Sequence, residues 1–297
     1  MLTGEYFVLD GANALALPTK KGQSLEFKLN GSKLAERSQS QIKWKSLDHL
    51  GNVWFETEID CKTLKSRDHN KVGQKLEQIL RIAKEVNPEF LQEGGEVEVK
   101  SDFNLQWGFG SSSTLVSLIA QWAQVNPYTL QFECFGGSGY DIACATANGP
   151  IKYNPLPVPK SIPVQIDFPF KDNLYFVYLG QKQDSREGIK HYRAMENAQK
   201  EEVIHELNGI TERIIKCESL IEFSENLKRH EELVGKALQT TPVQERLFSD
   251  FGGQTKSLGA WGGDFILVAS QKDEVEVESY FKGKGFNTIL SFVETVM

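Results

Sequence analysis

Trp107-Gly108-Phe109-Gly110-Ser111-Ser112-Ser113-Thr114 is the stretch on which the fold assignment turns. Its two glycines let backbone approach a ligand closely. The serines and Thr114 then open an apolar helix, marked by Leu115, Leu118, Ile119 and Trp122 at helical spacing. The unbonded amides of a first helical turn and the helix dipole together favour an anion at that end. Serine hydroxyls add phosphate or Mg2+ contacts. The plainer reading is a glycine turn with a serine N-cap, and this stretch alone does not separate the two. It is not a Walker A loop, since Gly-x-x-x-x-Gly-Lys-Ser/Thr occurs nowhere. Ser113 at the sixth position also spoils a Gly-x-Gly-x-x-Gly fingerprint.

Two further segments carry the same kind of chemistry. Gly136-Gly137-Ser138-Gly139-Tyr140-Asp141-Ile142-Ala143 places an acid between flexible backbone and small helical residues. A carboxylate there is able to orient or deprotonate an attacking hydroxyl; alternatively Asp141 only caps its helix. Ser257-Leu258-Gly259-Ala260-Trp261-Gly262-Gly263-Asp264-Phe265 sets glycines around a Trp ahead of a strand. That suits a loop closing over a phosphate, or simply a tight hairpin or bulge.

Around these segments the periodicities predict an α+β chain. Residues 5–29 read as β-rich, with strands at 6–9, 14–17 and 24–29 and a turn at Asp10-Gly11. Alternating runs at 42–44, 53–59 and 96–100 predict more strands. Leu76, Ile79, Leu80 and Ala83 define one face of a helix over 72–86. A second helix is expected over 140–147. Residues 154–169 hold five of the ten prolines and mark the best domain boundary. Beyond it, strands are expected at 174–179, 265–269 and 286–292. Helices are expected from the capping signature Asp184-Ser185-Arg186-Glu187, within 200–250 and over 273–282. No βαβ rhythm is evident, which favours α+β over a doubly wound sheet.

Bulk properties narrow the function. The 297 residues suffice for one large or two medium domains. The formal net charge of −7 argues against nucleic-acid or membrane-surface partners but not against ATP. Cys61, Cys134, Cys144 and Cys217 form no Cys-x-x-Cys pair, so no zinc or redox site is indicated and a reduced, cytoplasmic setting is expected. No apolar run approaches the ~18 residues of a membrane span, and the N-terminus does not read as a signal peptide. His49, His69, His191, His205 and His230 show no metal-binding spacing and are expected at the surface or satisfied in the core.

In their order and separation these segments resemble the four motifs of the GHMP kinase superfamily (galactokinase, homoserine kinase, mevalonate kinase, phosphomevalonate kinase). Residues 2–18, with Gly4-Glu5-Tyr6 and Gly11-Ala12-Asn13-Ala14-Leu15-Ala16, resemble the first motif, a Gly-Glu-His followed by Gly-x-Ala-Leu-Ala. Residues 108–113 resemble the phosphate loop, 138–143 the segment with the catalytic aspartate, and 259–263 the third glycine-rich motif. Gly-Tyr-Asp-Ile-Ala looks closest to the phosphomevalonate and mevalonate kinases, and to the group named for that segment.

The resemblance implies a two-domain GHMP-kinase-like fold. An N-terminal α+β, ATP-binding domain would span residues 1–160 and a C-terminal ferredoxin-like domain 161–297. It implies an ATP-dependent phosphotransferase of the mevalonate or phosphomevalonate kinase kind, using Mg2+, monomeric or homodimeric, with a small hydroxyl- or phosphate-bearing acceptor. Gly108, Gly110, Ser111 and Ser113 would cradle ATP phosphates, Ser112 would touch Mg2+, and Asp141 would activate the acceptor hydroxyl. Glu5, Tyr6, Gly139, Gly259, Ala260, Gly262 and Gly263 would line the acceptor side.

Three departures stand out. The strand and Lys that usually precede the first motif are not in this sequence, leaving Lys20, Lys21 or Lys182 as substitute cations. Tyr6 replaces the usual His. Leu130 occupies the position of a Mg2+-binding Glu, with Glu133 nearby but out of register. A diphosphomevalonate-decarboxylase-like enzyme, a sugar or sugar-phosphate kinase, and an inactive ligand-binding relative are the alternatives.

Overall fold

Alternating burial along the strands and one-sided helices build two compact units. The computed structural model describes residues 1–29, 40–180, 185–259, 261 and 263–297. Lys182, Asp184, Ala260 and Gly262 lie outside the described residues. One unit comprises Met1–Lys20, Gln106–Gly108 and Ala147–Met297; the other comprises Lys21–Leu105 and Phe109–Thr146. These units partition the chain differently from a boundary at residue 160.

In chain order the first strands are β1 (Ala14–Ala16), β2 (Gln23–Leu29), β3 (Gln41–Leu47), β4 (Val53–Asp60) and β5 (Gly95–Ser101), with helix α1 (Lys71–Val86) between the last two. Helices α2 (Ser111–Ala123), α3 (Pro127–Cys134) and α4 (Tyr140–Ala145) follow. Next come β6 (Ile151–Asn154), β7 (Lys160–Pro163), β8 (Leu174–Tyr178), α5 (Ser185–Ala194), α6 (Asn197–Ile215), α7 (Leu220–Leu238) and α8 (Val243–Leu247). The chain ends with β9 (Gln254–Ser257), β10 (Phe265–Ala269), α9 (Glu274–Gly283), β11 (Ile289–Ser291) and α10 (Phe292–Thr295).

The second unit is a four-stranded sheet in the order β2-β5-β3-β4, with β3 parallel to β5 and the other pairs antiparallel. Ile42, Trp44, Phe55, Ile59, Val97 and Val99 point to one face and bury against helices α1 and α2. The apolar face predicted for α1 is the buried one, and Asn70 caps that helix by accepting from the Val72 and Gly73 amides. α2 packs against α1, α3 and α4, so the helix opened by the serines and the helix carrying Asp141 are neighbours in this unit.

In the first unit, β8, β9, β10 and β11 form an antiparallel sheet in the order β11-β8-β10-β9. With α5 to α8 between β8 and β9, and α9 between β10 and β11, this is the β-α-β-β-α-β ferredoxin-like arrangement. A separate sheet, β1-β6-β7, joins the N-terminal segment to the chain beyond residue 150: Ala14 pairs with Tyr153 and Ala16 with Ile151. That pairing is why residues 1–20 belong with the C-terminal part. It also puts β7 inside the proline-rich tract, where composition marked a domain boundary.

Two local expectations change. The strand expected at 6–9 is a 3-10 turn over Phe7–Asp10, because Tyr6 and Gly11 both adopt positive φ and the Val8 and Leu9 amides bond back to Gly4 and Tyr6 carbonyls. The strand expected over 286–292 shortens to β11, because Ser291 caps α10 by accepting from the Glu294 amide. Among the described residues no helix is long and apolar enough to cross a membrane.

Candidate active site

The second unit holds the serine loop and Asp141. Gly110 is the N-cap of α2 at φ 77°, ψ 39°, a left-handed conformation that favours glycine, and no side chain caps the helix there. The expected alternative, a serine N-cap, is therefore not what the chain forms. Thr114 is the first residue to donate its amide within the helix, to Gly110. The amides of Ser111, Ser112 and Ser113 precede it and face the helix mouth. Ser112 is exposed and Ser111 half-buried. Ser113 is buried, and its hydroxyl donates to the Gly110 carbonyl at 2.9 Å, bracing the loop. Thr114 does the same through its own hydroxyl, which lies 2.8 Å from Gln23 Oε1.

α4 repeats this local design. Its N-cap is Gly139 at φ 75°, again with no side-chain cap. Asp141 sits in the first turn but does not cap it, so the plainer role considered for this acid is not realised. By accessible area Asp141 is exposed. Protein crowded around the carboxyl nevertheless thins its hydration and raises its pKa above the ordinary carboxylate range. Leu130, at the position of the family's Mg2+-binding Glu, is fully buried in α3, while Glu133 is exposed on the same helix. No group of three or more His, Cys, Asp or Glu able to hold a metal occurs among the described residues.

The first unit holds the other expected site residues. Gly108 is at φ 67°, and a Cβ there would lie 2.4 Å from Asp264 Oδ2, so glycine is needed for the approach of that carboxylate. Gln106 and Trp107 are held by Tyr178, whose hydroxyl donates to the Gln106 carbonyl, and by the ring of Phe265. Residues 258–264 connect the antiparallel pair β9 and β10, so the third segment is a hairpin connection. Within it Gly259 is exposed at φ 64°, with open space around its α-carbon, and Gly263 is buried. Trp261 takes φ 61° and buries its ring over Gly235 of α7, where a Cβ would come 3.0 Å from the indole.

Glu5 is the main correction. Expected to face an acceptor, it is buried and its carboxylate is bound inside the unit. Lys256 Nζ, fully buried at the end of β9, donates to Glu5 Oε1 at 2.5 Å and to the Ser257 carbonyl at 2.8 Å. His230 of α7 accepts at Nε2 from the Gly4 amide at 3.1 Å, with Glu5 Oε2 3.2 Å from the same nitrogen. Ser257 donates to Glu231 Oε2. Burial alone would raise the Glu5 pKa, but the Lys256 ammonium leads the opposing effects, which outweigh it and hold the carboxyl down at about 2. Burial, followed by the Lys256 charge, lowers His230, so its ring is neutral at neutral pH. A neutral ring has one proton for two claims: with Nε2 accepting from Gly4, both Nδ1 and Glu5 Oε2 are left without partners. His230 is thus not the satisfied core histidine expected.

Burial raises Glu231 to about 7; Lys256 and the Ser257 hydrogen bonds oppose this and Glu5 adds to it. Its second oxygen, Oε1, has no partner. The folded chain therefore retains this proton in a range where the unfolded carboxyl, near 4.5, has lost it. Stability from Glu231 is full below about pH 4.5 and declines as pH rises through about 7. Glu5 acts in the opposite sense, its contribution being lost as pH falls from 4.5 towards 2. Urea unfolding of Glu231→Gln is expected to lose most of the decline in midpoint seen between pH 5 and pH 8; an unchanged pH profile would refute the assignment.

Tyr6 is partly exposed, and burial together with the Glu5 charge pushes its phenol up to about 12. It stays protonated at neutral pH. Its ring lies 6.3 Å from that of Tyr192, whose hydroxyl donates to Asp10 Oδ2 at 2.6 Å.

The sequence matches no protein-family model and no curated protein. Solved structures do match in fold. Methanococcus jannaschii mevalonate kinase gives a TM-score of 0.72 at 17% identity, over 97% of this chain and 93% of that chain. L. major mevalonate kinase in complex with R-mevalonate gives 0.61 at 15% identity, over 96% and 88%. Lactococcus lactis galactokinase complexed with galactose gives 0.63 at 13% identity, over 97% and 89%. The two-domain fold implied by the four-motif resemblance, that of the GHMP kinases, is the fold of this chain.

Proposed function

We propose that the chain is an ATP-dependent small-molecule kinase that transfers the γ-phosphoryl group to a hydroxyl or phosphate of an acceptor of the mevalonate or phosphomevalonate class. The observation that carries this reading is the glycine N-cap of α2, which leaves three first-turn amides without a side-chain cap beside exposed Ser112. A triphosphate fits such a helix mouth because amides and helix dipole both favour negative charge. The shared fold and Asp141, which sits in the first turn of α4 without capping it, add support.

In this reading the loop at residues 108–113 holds ATP. Asp141 orients and deprotonates the acceptor hydroxyl, its raised pKa making it a stronger base once ionised. The motif resemblance also assigns Tyr6, Gly139, Gly259 and Gly263 to acceptor binding, with the Tyr6 phenol, protonated at neutral pH, able to donate. Mg2+ would be held by Ser112, ATP oxygens and water, and would neutralise charge on the transferring phosphoryl group. Ser112→Ala is expected to shift the Mg2+ dependence of turnover several-fold to higher concentration; an identical titration would remove Ser112 from the metal site.

Radiolabelled MgATP offered with R-mevalonate, 5-phosphomevalonate, 5-diphosphomevalonate and galactose tests the reading. Label transfer without CO2 release is expected for one of the first two. CO2 release would identify a decarboxylase, and transfer to galactose a sugar kinase. Buried Leu130 in place of a metal-binding Glu favours a second reading, a non-catalytic ligand-binding relative. That reading would be met by ATP binding without transfer to any acceptor.

A further inference from the structure

Gly4 and Tyr6 flank Glu5 at positive φ, a conformation that needs outside support at Tyr6. Gly4 has φ 90°, and Tyr6, a bulky residue, has φ 62°. Glycine takes such a φ freely, but at Tyr6 it costs about 1–3 kcal/mol and persists only where its surroundings over-determine it. The surroundings here are specific. The Gly4 amide is held by His230 of α7, and Thr3 Oγ1 lies 2.8 Å from Thr211 Oγ1 of α6. The Glu5 carboxylate is held by Lys256. Lys256 in turn grips the Ser257 carbonyl at the end of β9, where the chain enters the glycine loop. All these groups lie in one unit.

Burying an ammonium and a carboxylate costs several kcal/mol in desolvation, and two apolar side chains would often serve stability as well. Unpartnered Glu5 Oε2, His230 Nδ1 and Glu231 Oε1 add to that cost. Stability alone therefore gives a poor account of this cluster.

We propose that Lys256 is a positioning residue: through Glu5 it latches the Gly4–Glu5–Tyr6 turn to the mouth of the third glycine loop and so sets where Tyr6 meets the acceptor. The role at the acceptor rests on the kinase reading above; the latch does not.

Lys256→Met alone leaves a buried unpaired carboxylate and is liable to unfold. The working variant is therefore Lys256→Met with Glu5→Met, which removes both charges and keeps apolar bulk. Two measurements decide the matter. Amide exchange at Gly4 and Tyr6, read by NMR on selectively nitrogen-labelled protein, is expected to quicken at least about tenfold in the double variant while β8 and β10 amides hold within about twofold. With the acceptor the parent chain phosphorylates, among R-mevalonate, 5-phosphomevalonate and galactose, KM is expected to rise about tenfold or more. KM for ATP should stay within about twofold. Unchanged amide exchange overturns the latch. Faster exchange with an unchanged acceptor KM overturns the positioning role. Failure of the parent chain to phosphorylate any acceptor overturns the acceptor role together with the kinase reading, and the amide result still decides the latch.

Discussion

Asp141→Ala and Asp141→Asn are expected to bind ATP with near-normal affinity and to lose turnover by about two to four orders of magnitude, the range associated with removal of a general base. The side chain is exposed, sits in the first turn of α4 and takes no part in capping, since Gly139 holds the N-cap. Removing it leaves no helix end unsatisfied and no buried partner stranded, so a stability loss would not account for a fall in kcat. Phosphoryl transfer asks mainly for positioning and charge neutralisation from a protein, and in the kinase proposed above Asp141 is the group that takes the acceptor's proton. The acidic limb of kcat/KM should have its midpoint above the ordinary carboxylate range, because the surrounding protein raises the carboxyl pKa, and should vanish in the Asn variant. Calorimetric ATP titration beside steady-state kinetics checks both halves. A kcat within a few-fold of the parent would remove Asp141 from the mechanism.

Lys256→Met is expected to give the largest loss of stability in the chain, on the order of 3–5 kcal/mol, because it strands a buried carboxylate. Lys256 and Glu5 are 0% and 2% exposed, so solvent screens the pair little. Typical domains hold only about 5–15 kcal/mol in total, so the urea midpoint should fall steeply or the chain should fail to fold. Adding Glu5→Met should restore much of the loss, since two apolar groups replace two charges. A single variant as stable as the parent would mean that Glu5 is reached by water or protonated in the fold.

Local order set much of the fold. Alternation in β3 and β4, the helical period of α1 and the apolar helix after Gly110 are all legible because each depends on neighbours within a turn or a strand. The serine loop and Asp141 were legible for the same reason, as each site is a glycine followed at once by a helix. The first motif was readable as a pattern but not as a structure. Tyr6 to Leu9 has strand composition, yet Gly4, Tyr6 and Gly11 bend it into a 3-10 turn against α6 and α7. The β6–β7 hairpin, which runs into the proline-rich tract, was hidden because its first strand pairs with Ala14–Ala16, more than a hundred residues earlier.

Amino-acid order alone indicated an α+β chain and which motifs occur in which order; that Gly110 and Gly139 cap the two helices, rather than a serine or Asp141, emerged only on folding. What Glu5 does depends on long-range closure, because Lys256 lies 251 positions from Glu5 and His230 lies 226 positions from Gly4. Helix and strand periods report which face of an element is apolar. They carry no record of which buried charge will find which counter-charge, since that choice is made when distant segments close around a space with too little water to solvate either alone.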